Sequence, residues 1–222
     1  MKRNNEYKAI LVGDTSAQKT AIFKKLTSGT FTDKNISTIG VDRKILHFKD
    51  IEINIKGEYQ KEDFDIILYD TAGQERYRSI AKSYFKNSDI VFIIYNICYK
   101  KTFDDVEIWL ESINEILSSW KTGHYLITLL GNNIKDDIDR REVEEEEAKQ
   151  FCEDKGIMWG GEICIKNYSA EQSTEILLNS WKAYVKKFGL KDEISSTTKI
   201  ECSKWKTRKK KKKKIADVCG NI

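Results

Sequence analysis

Short apolar runs that call for burial on both faces alternate along this chain with stretches whose apolar residues recur every three or four positions. The runs are "YKAILVG" (Tyr7 to Gly13), "FDIILYD" (Phe64 to Asp70), "DIVFIIYN" (Asp89 to Asn96), "HYLITLLGN" (His124 to Asn132) and "EICIKN" (Glu162 to Asn167), each of strand length. Between them, Phe103, Val106, Trp109, Leu110, Ile113, Ile116, Leu117 and Trp120 form one helical stripe, and Leu177, Trp181, Tyr184, Val185 and Phe188 form another. Strands buried on both sides and separated by amphipathic helices specify a mainly parallel sheet covered by helices. Such a sheet binds ligands beyond the carboxyl ends of its strands. One segment departs from the rhythm: "KILHFKDIEINI" and "FDIILYD", joined by the polar "KGEYQKED", predict a long hairpin at a sheet edge.

The first strand runs into "GDTSAQKT", Gly13 to Thr20, and then into a helical pattern. A phosphate-binding loop has Gly, four residues, then Gly-Lys-Ser/Thr; Gly13, Lys19 and Thr20 fit, and Gln18 stands where the second glycine belongs. Backbone N–H groups of such a loop and the positive end of the next helix cradle an anion, a lysine reaches the outer phosphates, and a hydroxyl serves Mg²⁺. By itself this loop leaves a phosphate site and an ordinary strand-to-helix connection equally open.

The 222 residues suit one domain with a tail. No apolar run reaches the roughly 18 residues of a membrane span, and "MKRNNEYK" is not a signal peptide, so a cytoplasmic chain is expected. Five scattered cysteines form no C-x-x-C pair and predict reduced thiols. Residues 203–222 carry nine Lys/Arg and one acid, a net +8 that leaves −4 for the rest of the chain. Such a block stays disordered until it meets something anionic.

Two further strings follow the loop in order: "STIGVD" (Ser37 to Asp42) and "YDTAGQERYRSIAKSYFKNSDI" (Tyr69 to Ile90). With them the chain resembles the Rab branch of the Ras superfamily of small GTPases, from Tyr7 to about Gly189. "GNNIKDD" stands at the place of the family's N-K-x-D base-reading motif and "NYSAEQ" at that of its T-S-A-K motif. The resemblance implies a P-loop NTPase small G domain over residues 1–190: a six-stranded, mainly parallel sheet with one antiparallel edge strand and helices on both faces. Residues 191–222 would form a disordered tail.

The resemblance also assigns roles. Gly13, Asp14, Thr15, Ser16, Ala17, Gln18, Lys19, Thr20 and Gly73 would surround the nucleotide phosphates. Thr20, Thr38 and Asp70 would hold Mg²⁺, and Gln74 would orient the attacking water. Asn132, Asn133, Lys135, Ser169, Ala170 and Glu171 would lie at the base. Loss of the γ-phosphate would release Thr38 and Gly73, which makes a timed switch. The departures cluster in this site. Gln18 adds a Cβ at the cradle, Lys135 replaces the guanine-reading Asp with a group that only donates, Asn133 replaces the motif lysine, and Glu171 replaces a lysine. Glu171 could have taken over the acid's role, Asp136 or Asp137 could supply it after a one-residue shift, or base recognition has decayed. Arg43 replaces the Phe of an aromatic triad whose other positions match Tyr69 and Tyr84.

The long hairpin reads as a tolerated surface loop before a partner site, "EVEEEEAK" as the start of a solvated helix, His47 and His124 as strand residues, and Trp109, Trp120 and Trp181 as core. Cys219 holds the position of a prenylated cysteine, and the run Arg208 to Lys214 would add attraction to an anionic leaflet. The resulting expectation is a monomeric GTP/GDP switch of vesicle traffic, peripheral on cytosolic membrane faces. Its partners would be exchange factors, activating proteins and effectors, and no nucleic acid. The alternative is a pseudo-GTPase that keeps the fold as a binding module.

Overall fold

The computed structural model describes residues 5–28, 41–71, 84–118, 124–133, 138–164 and 166–191. Six strands form one sheet in the order β2-β3-β1-β4-β5-β6. They are β1 (Glu6–Val12), β2 (Val41–Ile55), β3 (Glu58–Thr71), β4 (Ile90–Asn96), β5 (Leu126–Asn132) and β6 (Met158–Ile163). Only β2 runs antiparallel to its neighbour, and it lies at the edge as expected. The helices are α1 (Lys19–Ser28), α2 (Lys100–Asp104), α3 (Val106–Ser118), α4 (Glu145–Lys155) and α5 (Ala170–Phe188).

Burial on both faces explains the central strands. Ile90 to Tyr95 of β4 and all of β5 are buried, so alternate residues enter opposite cores. Ile22, Phe23 and Leu26 of α1 and Leu177, Trp181, Tyr184 and Val185 of α5 fill one side. Phe103, Val106, Trp109, Leu110, Ile113 and Leu117 fill the other, together with Ala148 and Cys152 of α4. The stripe expected from Phe103 to Trp120 is two helices broken at Asp105, and Trp120 lies outside the described residues. No disulfide joins Cys98, Cys152 and Cys164, and burial pushes the Cys152 thiol up to about 12. No described helix is long and apolar enough to cross a membrane.

The hairpin corrects its expected boundaries. The turn is only Lys56-Gly57, with φ values of 54° and 94°, and the Asn54 side-chain oxygen accepts the Gly57 N–H at 3.0 Å. "EYQKED" is therefore strand, its polar residues alternating with inward Glu62 and Phe64. A bulge between Phe48 and Ile51 puts Asp50 at φ 54°, where its N–H donates to Asp63. The bent ribbon lays Phe48 over Phe64 (5.0 Å between ring centroids) and Phe64 over Trp181 of α5 (3.8 Å), while Tyr7 meets Phe64 and Trp181 edge-on. Each such pair contributes about 0.5–1.5 kcal/mol beyond area burial. Beyond the bulge Ile53 joins the same buried cluster, with Ile51 and Ile55 packed against it, so the ribbon is paired strand with one face on the core and not a loop.

β6 also differs from expectation, since it covers Met158–Ile163 where Glu162 to Asn167 was predicted. Two adjacent glycines hide the strand from pattern reading. A Cβ on Gly160 would lie 2.5 Å from Leu130 and Thr128 side-chain carbons, and Gly161, at φ 96°, sits where the β5–β6 register shifts. His47 is a strand residue paired with Asp65 at 2.7 Å, whereas His124 precedes β5. The acidic run does start a helix: Glu145, Glu146 and Glu147 occupy the first turn of α4, where the dipole favours them.

Candidate nucleotide site

At the carboxyl end of β1 the chain turns at Gly13, whose φ is 134° and whose Cβ, if present, would lie 2.2 Å from the Ile94 carbonyl oxygen. Only glycine fits there. Thr15–Ala17 make one 3-10 turn, and Gln18 follows in left-handed backbone, φ 55° and ψ 42°, before α1 begins at Lys19. Left-handed backbone costs a residue with a Cβ about 1–2 kcal/mol. The loop accepts that cost and places no acid in the first turn of α1, so the helix offers its positive end to an anion.

Lys19 is buried, and its Nζ donates to the carbonyl oxygens of Gly13 (2.8 Å) and Asp14 (3.0 Å). Burial pushes its ammonium down to about 8, against the opposing pull of Asp70 and Asp14. The Thr20 hydroxyl donates to Asp70 Oδ2 at 2.6 Å. Asp70 stands near the end of β3, paired with Leu11 of β1, so the sheet register sets the threonine and the carboxylate together. An oxygen-only pair of this kind suits Mg²⁺, which prefers hard ligands and keeps much of its water.

Side chains from three other elements hold the loop. Asn132 at the end of β5 donates to the Ala17 carbonyl oxygen at 2.9 Å, and Asn96 at the end of β4 donates to that of Ser16 at 3.4 Å. The indole N–H of Trp109 on α3 donates to Asp14 Oδ1 at 2.9 Å. Trp109 is core, as expected, but this contact to the loop had no signal in the sequence, because a tryptophan on an apolar stripe reads only as packing.

The base end is built differently. Asn132 and Asn133 leave β5 buried, and the Asn133 N–H donates to the Ile163 carbonyl oxygen at 2.8 Å. The side-chain oxygens of both asparagines are buried with no hydrogen-bond partner among the described residues. Beside them, Glu162 of β6 takes a bidentate ion pair from Arg141, both contacts 2.7 Å. Residues leaving β6 next to Asn133 therefore begin at Cys164, whose carbonyl oxygen accepts the N–H groups of Asn167 and Tyr168. Ser169, Ala170 and Glu171 lie further on. Ser169 is the N-cap of α5 in a capping box with Gln172, Ala170 opens the helix, and Glu171 sits in the first turn, accepting from the Ser169 hydroxyl at 3.3 Å. The structure brings Gly13 to Thr20, Asp70, Asn132 and Asn133 together and assigns Ser169 to Glu171 to the start of α5. Thr38, Gly73, Gln74, Lys135, Asp136, Asp137, Cys219 and the polybasic run lie outside the described residues.

The triad positions meet as well. Arg43 pairs with Tyr69 across the hairpin, and the Tyr69 and Tyr84 rings lie 6.1 Å apart. Lys8, on the next strand, places its Nζ 5.0 Å from the Tyr69 ring centre and donates to the carbonyl oxygens of Tyr84 and Lys86.

A family model described as the Ras family matches residues 8–181. The chain is 34% identical over 154 residues to the GTP-binding protein YPT1 of Saccharomyces cerevisiae, a match covering 68% of each chain. It is 36% identical over 151 residues to the Ras-related protein Rab-10 of Caenorhabditis elegans, again with 68% of each covered. To the Ras-related protein YPTC6 of Chlamydomonas reinhardtii it is 30% identical over 173 residues, 78% of this chain and 73% of the relative. Together with a sheet of the expected order and a loop that keeps its lysine, threonine and facing aspartate, these matches show that the chain belongs to the Ras family, as a Rab-like small GTPase.

Proposed function

We propose that this protein is a GTP/GDP switch of vesicle traffic that still binds Mg²⁺-nucleotide. The observation that carries the reading is the Thr20–Asp70 contact beside the buried Lys19, because it keeps the phosphate and metal groups in register. When a phosphate enters, the Lys19 ammonium exchanges loop carbonyls for phosphate oxygens, and the loop amides and the α1 N-terminus take the remaining charge. Thr20, Asp70 and Thr38 would hold Mg²⁺, which supplies charge neutralisation between the outer phosphates. Gln74 orients water toward the γ-phosphorus; the bond to the bridging oxygen breaks, giving GDP and phosphate. Thr38 and the Gly73 N–H lose their γ-phosphate partner at that moment, which is the switch.

For the base, we propose that the segment 163–166, "ICIK", stands at the T-S-A-K position, with Lys166 at the motif lysine. Support comes from the β6 boundary and the Asn133–Ile163 hydrogen bond. Lys191, expected in the tail, is held to the domain by Asp89 (2.7 Å) and the Glu6 carbonyl oxygen (2.6 Å), so residues 192–222 act as the membrane tail, with Cys219 as the lipid-bearing residue and the basic run on the anionic leaflet. Replacement of Cys219 by Ser is expected to move the protein to the soluble fraction.

The pseudo-GTPase reading is favoured by Gln18 in left-handed backbone and by the two buried amide oxygens that no described residue satisfies. Chromatography of the nucleotide released on denaturing freshly purified protein separates the two. GDP or GTP near one per chain supports the switch; an empty protein that also fails to take up added GDP with Mg²⁺ supports the binding module.

A further inference from the structure

We propose that Trp109 is a positioning residue for the phosphate loop and acts through Asp14. Trp109 is 2% exposed and locked into the α3 side of the core, whereas Asp14 lies at the half-buried rim of the loop. The indole N–H reaches the Asp14 carboxylate at 2.9 Å across 95 residues of sequence, a charge-assisted bond of the stronger class.

Two physical demands on this loop give the bond its role. The first is strain: Gln18 occupies left-handed backbone, and a strained residue persists only where its surroundings over-determine it. Asn96 and Asn132 fix the carbonyl oxygens of Ser16 and Ala17, and Trp109 fixes the residue that opens the 3-10 turn. The second is charge. Asp14 places an anion beside a cradle built for phosphate, and its field already acts on Lys19. Donation from the indole holds that carboxylate against α3, toward Lys101, whose ammonium also feels it. Without the indole N–H the carboxylate loses a bond that holds it against α3, and its charge weighs more on the phosphates and on Lys19.

The kinetic arm of this inference rests on nucleotide binding, so the test includes an arm that does not. In the full chain, Trp109→Phe keeps the ring packing and removes the donor. Release of the fluorescent analogue mant-GDP is expected to quicken about tenfold, and amide hydrogen exchange over Gly13–Thr20 in the nucleotide-free protein is expected to speed up while β4 and β5 stay protected. In an Asp14→Ala background, Trp109→Phe is expected to change neither quantity further, a result that mere packing would not give. Unchanged release and exchange in Trp109→Phe, or a full effect persisting in the Asp14→Ala background, would overturn the proposal. If the parent holds no mant-GDP, the switch reading fails and exchange alone decides on the same terms. If Trp109→Phe does not fold, Asp14→Ala by itself is expected to loosen the Gly13–Thr20 amides, and its failure to do so overturns the proposal.

Discussion

The phosphate end and the base end of the candidate nucleotide site lie along the carboxyl ends of one sheet's strands, yet they respond to sequence change in opposite ways. At the phosphate end a glycine has become Gln18, and the loop still turns through left-handed backbone into α1. At the base end Asn132 keeps its place and Asn133 stands for the motif lysine, and both bury an amide oxygen that no described residue satisfies. The difference follows from what each end is made of. A phosphate is held mainly by backbone N–H groups and a helix end, which every residue type supplies once the chain has the right path. A base edge is read by side-chain donors and acceptors, so each replacement rewrites the code.

The largest expected effect tests the phosphate end. Lys19→Met should weaken GDP binding at least about a hundredfold, since it leaves the outer phosphates without their buried cation. The same lysine sets a pH dependence. In the empty protein its proton leaves around pH 8 because of burial, below the ordinary 10.5. Phosphate favours the ammonium and raises the pKa again, so binding at about pH 9 takes up as much as one proton. Affinity should therefore fall as pH rises from about 8 toward 10.5, and titration calorimetry in buffers of different ionisation enthalpy should show the uptake in the parent and none in Lys19→Met. A flat profile in the parent would mean that Lys19 does not meet phosphate.

The base end is tested next. Lys135→Asp restores two acceptors for the guanine N1–H and amino group and should raise preference for GDP over ADP by about tenfold or more, the scale of a bidentate contact to a base edge. Competition against mant-GDP measures it. No gain would mean that the base is read from elsewhere in the site, and the contrast between the two ends would lose its chemical basis.

Legibility in the sequence divides along the same line. β1, β4 and β5 were plain because burial on both faces leaves unbroken apolar runs, and the α5 stripe was plain because Leu177, Trp181, Tyr184 and Val185 keep a strict helical period. The Gly13 to Thr20 loop was readable because its chemistry is local, eight consecutive residues between a strand and a helix. β6 is hidden from pattern reading because Gly160 and Gly161 answer to close packing and a register shift, which leave no apolar trace. The strand's end at Ile163 leaves the Ser169-Ala170-Glu171 string, which the resemblance assigns to the base, at the start of α5. The hairpin's full length is hidden because Glu62 and its polar neighbours mask the alternation. Trp109 and Asp14 were each visible, but their meeting depends on how α3 packs on β4, which no local pattern encodes.

A smaller effect sharpens the account of the phosphate end. Gln18→Gly removes about 1–2 kcal/mol of left-handed strain and adds about 0.5–1 kcal/mol of unfolded-chain freedom, so the variant should be more stable by about 1 kcal/mol. Denaturant titration reads this. Because the loop already holds the productive path, GDP affinity should rise no more than about threefold. A tenfold gain would show that the Gln18 side chain obstructs the phosphates, and the backbone-only account of the cradle would need to include it.

The smallest expected effect concerns the residue that sequence pattern placed closest to the base. Glu171 lies in the first turn of α5, exposed, with the Ser169 hydroxyl donating to its carboxylate and the helix dipole favouring its charge. Those interactions are local to the helix end. Glu171→Ala should cost about 0.3–1 kcal/mol of stability, most of it lost in high salt, and leave GDP affinity within about twofold. A Cys164 or Lys166 replacement, at the segment leaving β6, should move GDP affinity more than Glu171→Ala does. If Glu171→Ala instead weakens GDP tenfold while GTP and ATP are no longer told apart, then the carboxylate has crossed from one loop to the other to face Lys135. In that event the base end, like the phosphate end, will have absorbed its replacements, and it will have done so by exchanging charges between side chains where the cradle relied on its backbone.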